Sequence, residues 1–169
     1  MPELDEKKVL SILESYGKDP QQLINVLLDI QEASGRNFVS SSWSKLTSKV
    51  LKVPLTRIYE ILTFYSMFST TPRGRYVVEV CQSGPCRFTG SEELVSWLEE
   101  ALKLKVGETS EDGLFTLSRT SCVGACSSSP TVKIGDEVFG GLLRDSALEL
   151  LKSFRDDNRA AREKFLCPS

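Results

Sequence analysis

Four of the five cysteines stand in two close pairs, CQSGPC over 81–86 and SCVGAC over 121–126, in a chain of 169 residues without histidine. Cysteine serving only as a small core hydrophobe is scattered singly. Two loops that each offer two thiols point instead to a metal or to redox chemistry. The intervals are C-x4-C, then 35 residues, then C-x3-C. Three chemistries compete for them. A [2Fe–2S] cluster takes four thiolates, one pair to each iron. A structural zinc site of four cysteines also accepts pairs at this spacing, although zinc ribbons keep their pairs closer and stabilise domains too small for a core. A redox disulfide is the third, but its usual motif is C-x-x-C, which neither pair matches. The lack of histidine excludes a histidine base, mixed cysteine–histidine zinc and histidine-ligated Rieske or haem centres.

The elements that position these thiols follow from the hydrophobic pattern. Residues up to about 72 read as four helices. Val9, Ile12, Leu13 and Tyr16 form the first run, which Gly17 stops. Asp19, Pro20 and Gln22 supply a cap, a first helical position and a capping box for the second, through Ile24, Leu27, Leu28 and Gln31. The third carries Leu46, Val50 and Leu51, and the fourth runs from Pro54 through LTRIYEILTFYSMF. TTPRGR over 70–75 is turn chemistry and marks a boundary. Beyond it YVVEV is a strand ending at Cys81. Thr89 and Glu92 offer a capping box to a helix with Leu94, Val95, Leu98 and Leu102 on one face. LFTLSRT is a strand ending beside Cys122, TVKIG and EVFGGL form a hairpin, and Ser146 with Glu149 caps a last helix. The order strand-helix-strand-strand-strand-helix describes a small α/β sandwich. If the two strands that lead into the cysteine pairs are parallel neighbours, all four sulfurs emerge at one edge. The domains are therefore 1–72 helical, 73–156 α/β, and 157–169 a charged tail expected to fray.

Composition narrows the function. Hydrophobic residues at 40%, charged residues at 26% and a net charge of −2 describe a folded chain without the footprint of a nucleic-acid or anionic-membrane binder. Residues 45–62 imitate a helix-turn-helix, but the second helix is apolar and aromatic where a reader of DNA needs polar side chains. Residues 1–72 hold eight Lys/Arg and eight Asp/Glu, so that half has no net charge. MPELDEKKVL has no leader character and no apolar run approaches membrane-spanning length, so a soluble, cytoplasmic protein without direct membrane insertion is expected. No G-x-G-x-x-G or other nucleotide-binding loop is present.

TFYSMF (63–68), CQSGPC (81–86), KVGETSEDGLFTL (105–117) and CVGACSSSPTV (122–132) together resemble the thioredoxin-like [2Fe–2S] subunits of NADH:quinone oxidoreductases. The same subunit type occurs in NAD-linked and electron-bifurcating hydrogenases and formate dehydrogenases. The match runs in order over about residues 20–155. It implies an N-terminal four-helix bundle followed by a thioredoxin-like domain, and Cys81, Cys86, Cys122 and Cys126 as ligands of one [2Fe–2S] cluster. It further implies electron transfer, with FMN and NAD bound by a larger partner subunit and additional iron–sulfur subunits beyond. Leu62 stands where many members have alanine, and the serines of SSSP (127–130) stand where small or acidic residues are common; neither touches a ligand. The reading from another class is an adaptor stabilised by zinc on the four cysteines, without redox chemistry.

Secondary expectations attach to single residues. Phe64, Tyr65 and Phe68 are expected in the core rather than on a partner-facing patch. Arg87 and Arg119 flank the thiols and could offset cluster charge. Gly84 and Gly124, with the backbone around them, could donate N–H bonds to sulfur, or be ordinary turn glycines. Pro130 could be cis, as in thioredoxin-like folds, with an ordinary trans bond expected. Cys167 reads as a free thiol far from the pairs.

Overall fold

A computed structural model describes residues 4–167. The chain divides into two compact units, Met1–Arg73 and Gly74–Ser169. In the first, helices α1 (Glu6–Ser15), α2 (Leu23–Ala33), α3 (Ser41–Leu51) and α4 (Leu55–Phe64) enclose Val9, Leu13, Val26, Leu27, Ile30, Trp43 and Ile58. Each helix has one apolar stripe, and joining the stripes is what removes them from water. Asp19 does accept from the Gln21 N–H, but it caps a single 3-10 turn, Pro20–Gln22, ahead of α2. Gln22 is no capping-box partner; its side chain accepts from Asn25.

The fourth helix is shorter than its pattern predicts. It ends at Phe64, because the buried Gln31 amide captures the chain beyond it. Gln31 Nε2 donates to the Met67 carbonyl and Gln31 Oε1 accepts from the Ser69 N–H, both at 2.9 Å. The turn this imposes tucks Phe68 into the core at 6% exposure and leaves Phe64 at 80%. Tyr65 is exposed as well. Of the three aromatics expected inside, only Phe68 is buried.

The second unit holds a four-stranded sheet in the order β2-β1-β3-β4, with β1 Tyr76–Cys81, β2 Phe115–Thr120, β3 Val132–Ile134 and β4 Glu137–Phe139. β1 and β2 are parallel and in register from Tyr76↔Phe115 to Cys81↔Thr120, whereas β3 runs antiparallel to both β1 and β4. A short helix α5 (Gly84–Phe88) follows β1, and α6 (Ser91–Leu102) crosses back against β1 and β2. Helix α7 (Arg144–Arg155) lies beside α6 and is followed by α8 (Arg159–Glu163). Val78, Val80, Leu94, Leu98, Phe115, Leu117, Leu150 and Phe154 form the core between these layers.

Two caps differ from expectation. Helix α6 starts at Gly90, whose φ of +106° suits glycine, while Thr89 bonds back to the Pro85 and Cys86 carbonyls. Ser146 is not an N-cap but the third residue of α7, accepting from the Leu143 N–H at 2.8 Å. The tail is not frayed over its described residues. Arg162 is buried with its guanidinium carbon 3.9 Å from the centre of the Phe154 ring, and the Cys167 N–H donates to the Val138 carbonyl at 2.8 Å. A charged segment docks here because one arginine stacks on an aromatic face and the backbone completes a strand edge.

Candidate metal centre

The parallel pairing of β1 and β2 brings both cysteine loops to one end of the sheet. Cys81 is the last residue of β1 and Cys122 lies two residues beyond β2. The chain turns at Ser83, and α5 carries Cys86 back beneath Cys81, so the second thiol sits on a helix rather than on a loop. Gly124, at φ +88°, allows the tight turn between Cys122 and Cys126, and Cys126 opens a 3-10 turn, Cys126–Ser128.

The four thiols form two unequal pairs. Cys81 and Cys86 are each 1% exposed, whereas Cys122 and Cys126 are open to solvent. Cys122 Sγ and Cys126 Sγ are 3.9 Å apart. Two sulfurs on one tetrahedral metal, with bonds of about 2.3 Å, stand about 3.8 Å apart, so this pair fits one ion. Cys81 and Cys86 each shift the other's protonation. A donor set of paired thiolates is what a two-iron group takes.

The protonation of these thiols reflects their surroundings. Burial pushes the Cys81 thiol up, but the N–H groups of Ser83 and Val123 and the Cys86 thiol together bring it below the ordinary range. Val123 belongs to the other cysteine loop, so the state of Cys81 depends on both loops. Burial raises the Cys86 thiol, with Cys81 acting in the same direction and Thr131 against both. Cys126 is raised first by its hydrogen bond with Cys122 and then by the charges of its neighbours. Close thiols resist joint deprotonation, and a bound cation removes that repulsion.

Several flanking residues have roles other than those expected. Arg119 is engaged by a carboxylate. Its two terminal nitrogens hold the Glu92 carboxylate, with Arg87 at 3.9 Å from the same group. The backbone around the two glycines acts as expected: the N–H groups of Ser83 and Val123, beside Gly84 and Gly124, lower the Cys81 thiol. The Ser129–Pro130 bond is cis, not trans. Cys167 is nearer the site than its place in the tail suggests, since a Cβ on Gly140 would meet both Cys167 Sγ and Ser128. Thr131 contacts Cys86, a role that no periodicity or motif announces.

A mixed sheet flanked by helices, with two thiol pairs at the ends of two parallel strands, defines a small α/β domain built to present thiolates to a metal group. Residues 9–155 match the family model described as thioredoxin-like [2Fe-2S] ferredoxin, and the chain belongs to that family. It carries one [2Fe–2S] cluster and acts in electron transfer; the zinc-adaptor alternative finds no support. The chain is 32% identical over 157 residues to the E-subunit of NADH-quinone oxidoreductase from Rickettsia typhi, covering 90% of this chain and 92% of that one. It is 40% identical over 112 residues to the second NADH-quinone oxidoreductase E-subunit of Rhizobium meliloti, covering 66% and 67%. A crystal structure of an NAD+-reducing [NiFe]-hydrogenase in the air-oxidized state superposes with a TM-score of 0.70 at 16% identity, over 85% of this chain. The chain spans a quarter of that hydrogenase chain's length, 25%, and the likeness is one of fold.

Proposed function

We propose that the chain is the small [2Fe–2S] subunit of an NAD(H)-linked multisubunit oxidoreductase, with Cys81, Cys86, Cys122 and Cys126 as the cluster ligands. The observation that carries the ligand assignment is the convergence of the two cysteine loops: β1 and β2 are parallel and in register to Cys81↔Thr120, so both loops leave the same end of the sheet. When bound, the cluster supplies one-electron chemistry without a proton or a nucleophile from the protein. The chain's own residues hold it. The buried thiols Cys81 and Cys86 and the exposed thiols Cys122 and Cys126 would be its ligands. Ser83 and Val123 direct N–H groups at sulfur, which favours negative charge there.

The relatives' names, subunits of NADH-quinone oxidoreductases, support a multisubunit parent assembly; within it we assign FMN and NAD to a larger subunit that exchanges single electrons with this one, with further iron–sulfur subunits beyond. We assign residues 1–72 as a helical bundle that docks against those subunits, 73–156 as the cluster domain, and 157–169 as its C-terminal extension. No helix among the described residues is long and apolar enough to cross a membrane; we assign the chain to the cytoplasmic side of such an assembly.

Anaerobically purified protein is expected to contain iron and acid-labile sulfide in equal amounts, about two of each per chain. Serine at any one of the four positions should abolish or alter the visible spectrum. Zinc without sulfide would sink the reading, and a native spectrum in any one of the serine variants would overturn the ligand assignment. The isolated chain should not oxidise NADH, and turnover without flavin would count against a separate nucleotide-binding partner.

A further inference from the structure

Thr131 touches both buried cysteines. Its side chain is fully buried, with Oγ1 3.4 Å from Cys86 Sγ. Its carbonyl accepts from the Cys81 N–H at 3.1 Å. Among the described residues the hydroxyl has this sulfur as its partner, so its proton has one destination. A metal-bound cysteine has lost its own proton and can only accept. The hydroxyl is therefore the donor, in a place from which water is excluded and where such a bond is strong.

We infer that Thr131 sets the reduction potential of the cluster through its hydroxyl hydrogen bond to Cys86. The inference rests on the ligand assignment above. An added electron makes the cluster and its sulfurs more negative, and a hydrogen bond strengthens as its acceptor gains charge. The donor thus stabilises the reduced state more than the oxidised one and raises the potential. A bond of ordinary net strength changes the ratio of the two states by up to about tenfold. For a one-electron couple tenfold reads as about 59 mV.

The test uses the full chain loaded with its cluster, titrated electrochemically while the visible spectrum is followed. Thr131→Val keeps the branched shape and removes the donor; Thr131→Ser keeps the donor and removes a methyl. The valine variant should shift to lower potential by up to that tenfold equivalent, with the serine variant near the parent. Thr131→Ala is read in the same way if valine fails to retain the cluster. Thermal unfolding of the metal-free proteins is measured beside them, because a purely structural role would lower stability without ordering the potentials by presence of the hydroxyl. A parent-like potential in a loaded valine or alanine variant overturns the inference. Cys86→Ser separates the two claims: a native cluster there overturns the ligand assignment, whereas its loss beside an unmoved Thr131→Val potential overturns the role of Thr131 alone.

Discussion

Arg119 holds Glu92 with both terminal guanidinium nitrogens, at 2.7 and 2.8 Å. Arg119 lies three residues before Cys122 and Glu92 six after Cys86, so the pair ties the strand that feeds one thiol loop to the helix that follows the other. The hydrogen bond from Arg119 is the main reason the Glu92 carboxyl sits below the usual glutamate range. A depressed carboxylate pKa means stability that is complete above the unfolded value and lost as pH falls through the folded one. Glu92→Gln should therefore lower the thermal midpoint at neutral pH and weaken its dependence on acid. Melting curves at neutral pH and at the acid edge of the glutamate range measure this; parallel pH profiles for parent and variant would contradict it. Arg119→Lys, which cannot form the fork, should behave like the glutamine variant.

Gly140 has no room for a side chain. An added Cβ would lie 2.5 Å from the Ser128 carbonyl oxygen and 2.7 Å from Cys167 Sγ. Gly140→Ala forces the 3-10 turn after Cys126 and the tail apart, at a cost of about 1–3 kcal/mol. Urea unfolding of the loaded protein should show that loss. A loss of cluster from the exposed thiol pair should accompany it at lower denaturant concentration than in the parent.

Cys167→Ser should leave the visible spectrum unchanged, because the residue is held by its backbone bond to Val138 and joins neither thiol pair. The measurement is an absorption spectrum with an iron assay on the full chain. A bleached Cys167→Ser protein would mean that the fifth thiol, close to Ser128, takes part in holding the metal.

The division near Arg73 predicts that a chain beginning there folds with its own sheet and core. It should keep its colour and reduced-state paramagnetic signal and lose assembly with the flavin-bearing subunit. Colourless protein would show that the helical unit completes the cluster domain. Normal assembly would move the docking surface onto the sheet-bearing half.

The thiol pairs and the parallel strands that carry them were legible because both depend on local pattern. A strand that ends at a cysteine says where its loop emerges, and Cys81 and Cys122 emerge as that pattern implies. What the sequence hid was long-range hydrogen bonding. Nothing near Phe64 signals that Gln31 will end its helix by binding Met67 and Ser69, since those partners are more than thirty residues away. Glu92 looks like a capping-box residue because the local motif is sound, yet a bidentate arginine from strand β2 outcompetes a backbone N–H. Thr131 was invisible for the same reason. A buried hydroxyl on a sulfur 45 positions away leaves no periodicity to read.

The tail that docks on β4 has a counterpart on the opposite side of the sheet. Thr109 forms an antiparallel bridge with Thr116 beside β2, and Leu166 forms one with Phe139 beside β4. The neighbouring backbone bonds, Gly107 to Leu117 on one side and Gly140 to Phe165 on the other, extend both seams. An unpaired outer strand is a template on which a foreign strand can grow. Here each outer strand is hemmed by the chain itself, so recruitment of another polypeptide by strand addition is blocked along those stretches. Recognition by the sheet-bearing half then falls to side chains, whose identity can be tuned one at a time, and not to peptide groups that every sequence shares.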